Sequence, residues 1–158
     1  MSRPPRIPGF DYRGLYRYFV TFCTFERRGL LRDKWIANLL MSHLRRTARA
    51  RELAVLAYCL MPDHVHLLVE GTSDGADLRR FVKQLKQSTG QAYSAYGEGG
   101  LWQEGYYDRV LRQDEDAKDV ARYIIANPVR AGLVGNVCEY PYVGSDVWSL
   151  EELIDSLI

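Results

Sequence analysis

Residues 53–71 read LAVLAYCLMPDHVHLLVEG, two apolar runs separated only by Pro62-Asp63. No other stretch limits the fold as strongly. Each run has the length of a β-strand. Proline lacks an amide donor and Pro-Asp favours a turn, so the pair predicts a tight β-hairpin. On a strand, alternate side chains share a face. His64 and His66, two of the three histidines in the chain, therefore point the same way, with Val65 on the other side.

The remaining segments fall around this hairpin. YRYFVTFCTFERR, Tyr16 to Arg28, is aromatic and β-branched and predicts a strand. From Asp33 to Arg51, apolar residues recur at Trp35, Ile36, Leu39, Leu40 and Leu44. That is helical spacing, with Arg45, Arg46 and Arg49 at the end where the helix dipole favours cations. SDGADLRRFVKQLKQSTGQAYSAYG predicts a second long helix, with Leu78, Phe81, Val82 and Leu85 on its apolar face. LWQEGYYDRVLR reads as an extended segment or strand. DEDAKDVARYIIANP predicts a helix that starts among acidic residues and stops at Pro128. Loop and a short terminal helix complete the chain. The order β-α-β-β-α-β-α implies an α+β fold, a largely antiparallel sheet covered by helices.

At 158 residues the chain suits one main domain. Residues 1–15, Pro-rich and basic, are expected to form a flexible arm; residues 16–135 the domain; residues 136–158 a tail packed on it. No apolar run reaches transmembrane length, and the N-terminus lacks the apolar core of a signal peptide. A cytoplasmic protein with no membrane partner is expected. Cys23, Cys59 and Cys138 are odd in number and widely spaced, which implies reduced thiols rather than a disulfide frame. The first 60 residues carry twelve Arg or Lys against four Asp or Glu, residues 61–112 six against seven, and residues 113–158 three against nine. Either one face of the protein suits a polyanion, or the fold mixes these segments and their fields cancel.

Two imidazoles on one strand face can converge on a metal ion as neutral ligands, or can be structural histidines at a sheet surface. Two ligands rarely suffice. In ARYIIANPVRAGLV, Tyr123 and Asn127 stand at i and i+4, neighbours on one helix face. Asn127 can offer an amide oxygen to a hard divalent cation, with the Tyr123 hydroxyl nearby. Equally, Tyr123 can be a half-buried core aromatic and Asn127 a helix-end residue before proline.

Together the segments YCLMPDHVHLLVE, LKQSTGQAY, LWQEGYYDRVLR and RYIIANPVRAGLV resemble the single-tyrosine HUH transposases. More narrowly they are similar to the REP-associated tyrosine transposases, relatives of insertion-sequence transposases. The resemblance spans roughly Tyr16 to Val134 and implies a ferredoxin-like or RRM-like domain. It implies that His64 and His66 are the metal pair, Tyr123 the nucleophile and Asn127 the third ligand. The implied reaction is cleavage and strand transfer of single-stranded DNA through a 5′-phosphotyrosine, assisted by Mg²⁺ or Mn²⁺. The implied substrate is a palindromic DNA hairpin.

Binding DNA needs cations for phosphates and flat groups for bases. The candidates are Arg13, Arg17, Arg27 and Arg28 at strand ends, Arg79, Arg80, Lys83 and Lys86 on the second helix, and Trp102, Tyr106 and Tyr107. Trp102 reads equally as a core aromatic, and Tyr107 is a rival nucleophile. Two other functions compete: a hairpin-binding protein that does not cut, and an HxH phosphoesterase that would need His43 as a further histidine. A monomer is favoured over a homodimer by the narrower resemblance to the REP-associated tyrosine transposases.

Overall fold

The computed structural model describes residues 7–155. Its centre is the expected hairpin. β2 (Leu53–Met61) and β3 (His64–Gly71) pair antiparallel, and Met61 faces His64 across the two-residue turn Pro62-Asp63. β1 (Arg17–Cys23) pairs antiparallel with the free edge of β3. β4 (Tyr107–Val110) lies outside β1, and the two-residue β5 (Val143–Gly144) lies outside β2. The sheet order is β4-β1-β3-β2-β5, so the histidine strand is the central one. The expected first strand is shorter than its aromatic pattern. It ends at Cys23, and Phe25–Arg27 form a 3-10 turn in which Glu26 and Arg27 have φ of 53° and 56°.

Alternation sorts the side chains into two layers. Tyr18, Val20 and Phe22 of β1 and Val65, Leu67 and Val69 of β3 face one way. They are covered by α1 (Lys34–Ala50) and α2 (Leu78–Ser94), which bury Leu40, Leu44, Phe81 and Leu85 against them. Each buried Leu or Phe contributes about 1.5–3 kcal/mol relative to exposure. Asp33 caps α1 by accepting from the amides of Trp35 and Ile36, and Asp77 caps α2 through Arg80. The opposite face carries Leu68 and Cys59. It is covered by α3 (Ala117–Ile125) and α5 (Leu150–Asp155), which bury Ala121, Ile124, Ile125 and Leu153. Helices thus cover both faces.

In β2 the alternation breaks. Val55 pairs with Val69 but Ala57 pairs with Leu68, so Leu56 is the extra residue of a β-bulge. Before it, Leu53 and Val55 face the α1–α2 layer; after it, Tyr58 and Leu60 do.

Two expectations change. Residues 7–15 are not a free arm: Tyr12 is buried, its carbonyl accepts from the Leu78 amide, and Gly14 donates to the Ala76 carbonyl. Met1 to Arg6 lie outside the described residues. Residues 136–155 pack on the domain, where they supply β5 and the fully buried Leu153. Pro128 does not end the helical path. It occupies the first turn of α4 (Asn127–Arg130), where a missing amide hydrogen costs nothing. No helix among the described residues is long and apolar enough to cross a membrane.

Candidate active site

The register sets Tyr107, Thr21, His66, Cys59 and Val143 side by side across β4, β1, β3, β2 and β5. This row lies on the α3 face, and His64 sits two residues along β3 at the hairpin end. The two imidazoles meet edge to face, with centroids 4.7 Å apart.

Each imidazole is held from behind. His64 Nδ1 lies 2.7 Å from the Asp63 carboxylate and donates to it. Asp63 also accepts from Arg27 Nε at 3.1 Å. Burial pushes the Asp63 carboxyl up, but the hydrogen bonds from His64 and Arg27 outweigh it, so the net shift is down. His66 Nδ1 is 2.8 Å from Thr21 Oγ1, a hydroxyl only 2% exposed. Burial, and then the charges of His64, Arg130 and Arg27, depress His66 to about 4, so it is neutral at pH 7. With both Nδ1 atoms engaged, the Nε2 atoms are left for the cleft. A metal-binding tautomer at His66 requires Nδ1–H to donate to Thr21, the outer-partner arrangement typical of ligating histidines. Cys59 is no thiolate ligand: burial pushes it up to about 12, with Arg130 opposing.

α3 crosses this face with Asp116 as its cap, accepting from the Lys118 amide. Its apolar side faces the sheet, which turns Tyr123 outward, 61% exposed. Tyr123 is therefore not a core aromatic. Asn127 starts α4, one turn beyond. His64, His66, Tyr123 and Asn127 line a single cleft of about 720 Å³, together with Phe19, Thr21, Tyr107, Arg109, Asp119 and Arg130. Among the described residues no group of three or more His, Cys, Asp or Glu is arranged to hold a metal. Besides the two imidazoles, the cleft is lined by the Asn127 amide and the Asp119 carboxylate, both oxygen donors. The donor set fits a hard divalent cation of mixed nitrogen and oxygen ligation.

The expected DNA-contacting residues are dispersed. Only Tyr107 reaches the cleft, where its ring meets Phe19 edge-on. Arg27 stands behind His64 through Asp63. Arg13 and Arg80 both pair with Asp77, at 3.3 Å and 3.8 Å, and Arg79 covers the Tyr12 ring. Arg17 lies 3.9 Å from Glu70, and Arg28 is exposed. Lys83, Lys86, Trp102 and Tyr106 line a second groove along α2, of about 570 Å³. There Lys86 Nζ donates to the carbonyls of Gln103 and Gly105. Trp102 is half-buried, donates from Nε1 to Thr89 at 2.8 Å and meets Phe22 edge-on, so it is a packed aromatic. α1 and α2 each carry four Lys or Arg and no Asp or Glu, so the segment charges do not cancel on that layer. His43 belongs to the same layer, bonded to Ser88 between α1 and α2. It lies on the far side of the sheet and cannot serve an HxH phosphoesterase.

Sequence reasoning missed Asp63 as a histidine partner, Thr21 and Arg130. Asp63 was adjacent in sequence but was explained by the turn alone. Thr21 becomes visible only through the β1–β3 register. Arg130 was hidden by reading Pro128 as a stop.

The family model described as "Transposase IS200 like" matches residues 13–127. The REP-associated tyrosine transposase of Escherichia coli (strain K12) is 29% identical over 140 residues, covering 84% of this chain and 80% of that protein. The ISDra2 transposase TnpA of Deinococcus radiodurans is 31% identical over 124 residues, covering 73% of this chain and 85% of that protein. The solved structure of the REP-associated tyrosine transposase bound to a REP hairpin has the same fold, with a TM-score of 0.73 at 22% identity over 90% of this chain and 82% of that chain.

Proposed function

The chain belongs to the IS200-like transposase family, and from that premise we propose that it cleaves and rejoins single-stranded DNA at a DNA hairpin, with Tyr123 as nucleophile. His64, His66 and Asn127 would hold Mg²⁺ or Mn²⁺. The observation that carries this reading is the shared cleft: two histidines presenting Nε2, an amide and an exposed phenol.

A phosphodiester resists attack because its charge repels nucleophiles. When bound, the divalent ion supplies electrostatic stabilisation of the charge that grows on a phosphoryl oxygen. Neutral His and Asn donors leave that charge largely intact, whereas carboxylates would cancel much of it. The chain's own groups do the rest. Asp63 and Thr21 fix the imidazoles so that their lone pairs face the cleft. Tyr123 Oη forms the new bond to phosphorus and gives up its proton to water or a base. The P–O3′ bond breaks, and the 3′ oxygen leaves with the electron pair and takes up a proton. The product is a 5′-phosphotyrosine and a free 3′-hydroxyl. One ester replaces another, so a second 3′ end can reverse the step and join. All these groups come from one chain, which supports a functional monomer. The basic α1–α2 layer suits the phosphates of a bound hairpin.

The test is a labelled single-stranded hairpin DNA incubated with the protein and Mn²⁺. A covalent adduct is expected with wild type and with Tyr107→Phe, and none with Tyr123→Phe. Tight binding without adduct in the wild type would leave a hairpin-binding protein instead.

A further inference from the structure

Arg130 closes α4, three residues after Asn127. Its guanidinium carbon lies 3.9 Å from the centre of the Tyr123 ring. It lines the same cleft as the histidines. Among the described residues no carboxylate pairs with it; the nearby Asp119 is taken by Arg122 at 2.7 Å.

The local chain path explains the stack. α3 ends at Ile125 and Ala126 caps it, and the Arg130 amide donates back to the Ala126 carbonyl. Only Ala126 separates the two helices, and its backbone is itself in the αR region, so residues seven apart still share a side. Tyr123 has no such support from elsewhere. It projects into solvent, and no hydrogen bond among the described residues fixes its hydroxyl. An exposed phenol alone samples several rotamers. A planar guanidinium against its face is attracted by the ring quadrupole and restricts that sampling.

We propose that Arg130 is the positioning residue of the nucleophile: its guanidinium, stacked on Tyr123, keeps the phenol over the histidine cleft and so governs the rate of covalent attack, not the affinity for DNA or metal. The proposal rests on the tyrosine-transfer reading above. Orientation is where such a residue acts, because a small misplacement of a reacting group costs on the order of 100-fold in rate.

The experiment measures single-turnover adduct formation with labelled hairpin DNA at saturating Mn²⁺. DNA affinity by anisotropy and the melting temperature are measured on the same proteins. Arg130→Ala and Arg130→Gln are expected to slow the adduct step roughly 10- to 100-fold with DNA affinity unchanged. Arg130→Lys, which keeps a cation over the ring, is expected to recover part of the rate. A readout without DNA uses 3-fluorotyrosine at position 123. Its ¹⁹F resonance should move to the position of a freely exposed tyrosine in Arg130→Ala and return towards wild type in Arg130→Lys. An unchanged adduct rate in Arg130→Ala overturns the proposal. Equal losses of rate and DNA affinity also overturn it, and make Arg130 a phosphate contact. A wild-type protein that forms no adduct, with the ¹⁹F shifts as expected, fails the tyrosine-transfer reading and leaves the stack intact.

Discussion

Thr21→Val separates the support of the site from the site itself. Valine matches threonine in shape, and Thr21 is only 2% exposed, so packing is preserved. The change removes one hydrogen bond, the 2.8 Å contact to His66 Nδ1. Its net worth to folding is about 1 kcal/mol. Its worth to metal binding is larger. Without an outer acceptor the His66 ring loses both its preferred tautomer and its orientation, and such losses typically weaken metal affinity about 10- to 100-fold. That range corresponds to roughly 1.4–2.7 kcal/mol. Mn²⁺ titration followed by electron paramagnetic resonance gives the affinity, and urea denaturation gives the stability. Excess Mn²⁺ should restore adduct formation in Thr21→Val but not in His66→Ala. If Thr21→Val binds Mn²⁺ as tightly as wild type while His66→Ala loses it, the hydrogen bond does not prepare the ligand and the reasoning fails.

Two further outcomes follow from the same coordinates. A Cβ at Gly71 would lie 1.8 Å from the Gly14 carbonyl oxygen, so Gly71→Ala must push the N-terminal segment off the sheet; denaturant unfolding should show a loss of roughly 3 kcal/mol. His66 titrates near 4 in the folded protein against about 6.5 unfolded, so the unfolded chain binds the extra proton between these values. In chelator-treated protein this contribution is complete above pH 6.5 and is lost as pH falls towards 4, by roughly 3 kcal/mol. His66→Gln should flatten the pH dependence of the unfolding free energy, and an identical slope in the variant would remove burial as its cause.

Local chemistry made part of the molecule legible. Pro62-Asp63 between two apolar runs announced the hairpin, and alternation placed both histidines on one face before any pairing was known. The apolar spacing of α1 and α2 and their Asp caps needed no tertiary information. Long-range pairing was less accessible. Nothing in YDRV says that β4 lies outside β1, and a two-residue β5 is too short for any pattern to register. The aromatic run past Cys23 promised more strand than exists, because the backbone turns there at Glu26 and Arg27. The partners of the imidazoles divided in the same way. Asp63 is a sequence neighbour whose role was masked by a sufficient local explanation. Thr21 is 45 residues from His66 and meets it only because β1 pairs with β3 in one particular register.

Leu56 behaves like a frameshift in the inside–outside code of β2. Because one residue is counted twice, Cys59 rather than Tyr58 stands beside His66, and Tyr58 is sent to the layer where Arg45 covers its ring. Had the register set at Val55 and Val69 run on without the bulge, a phenol with its own proton and its own bulk would have stood beside the imidazole in place of a small, protonated thiol. The bulge thus decides which side chain of β2 meets the imidazole.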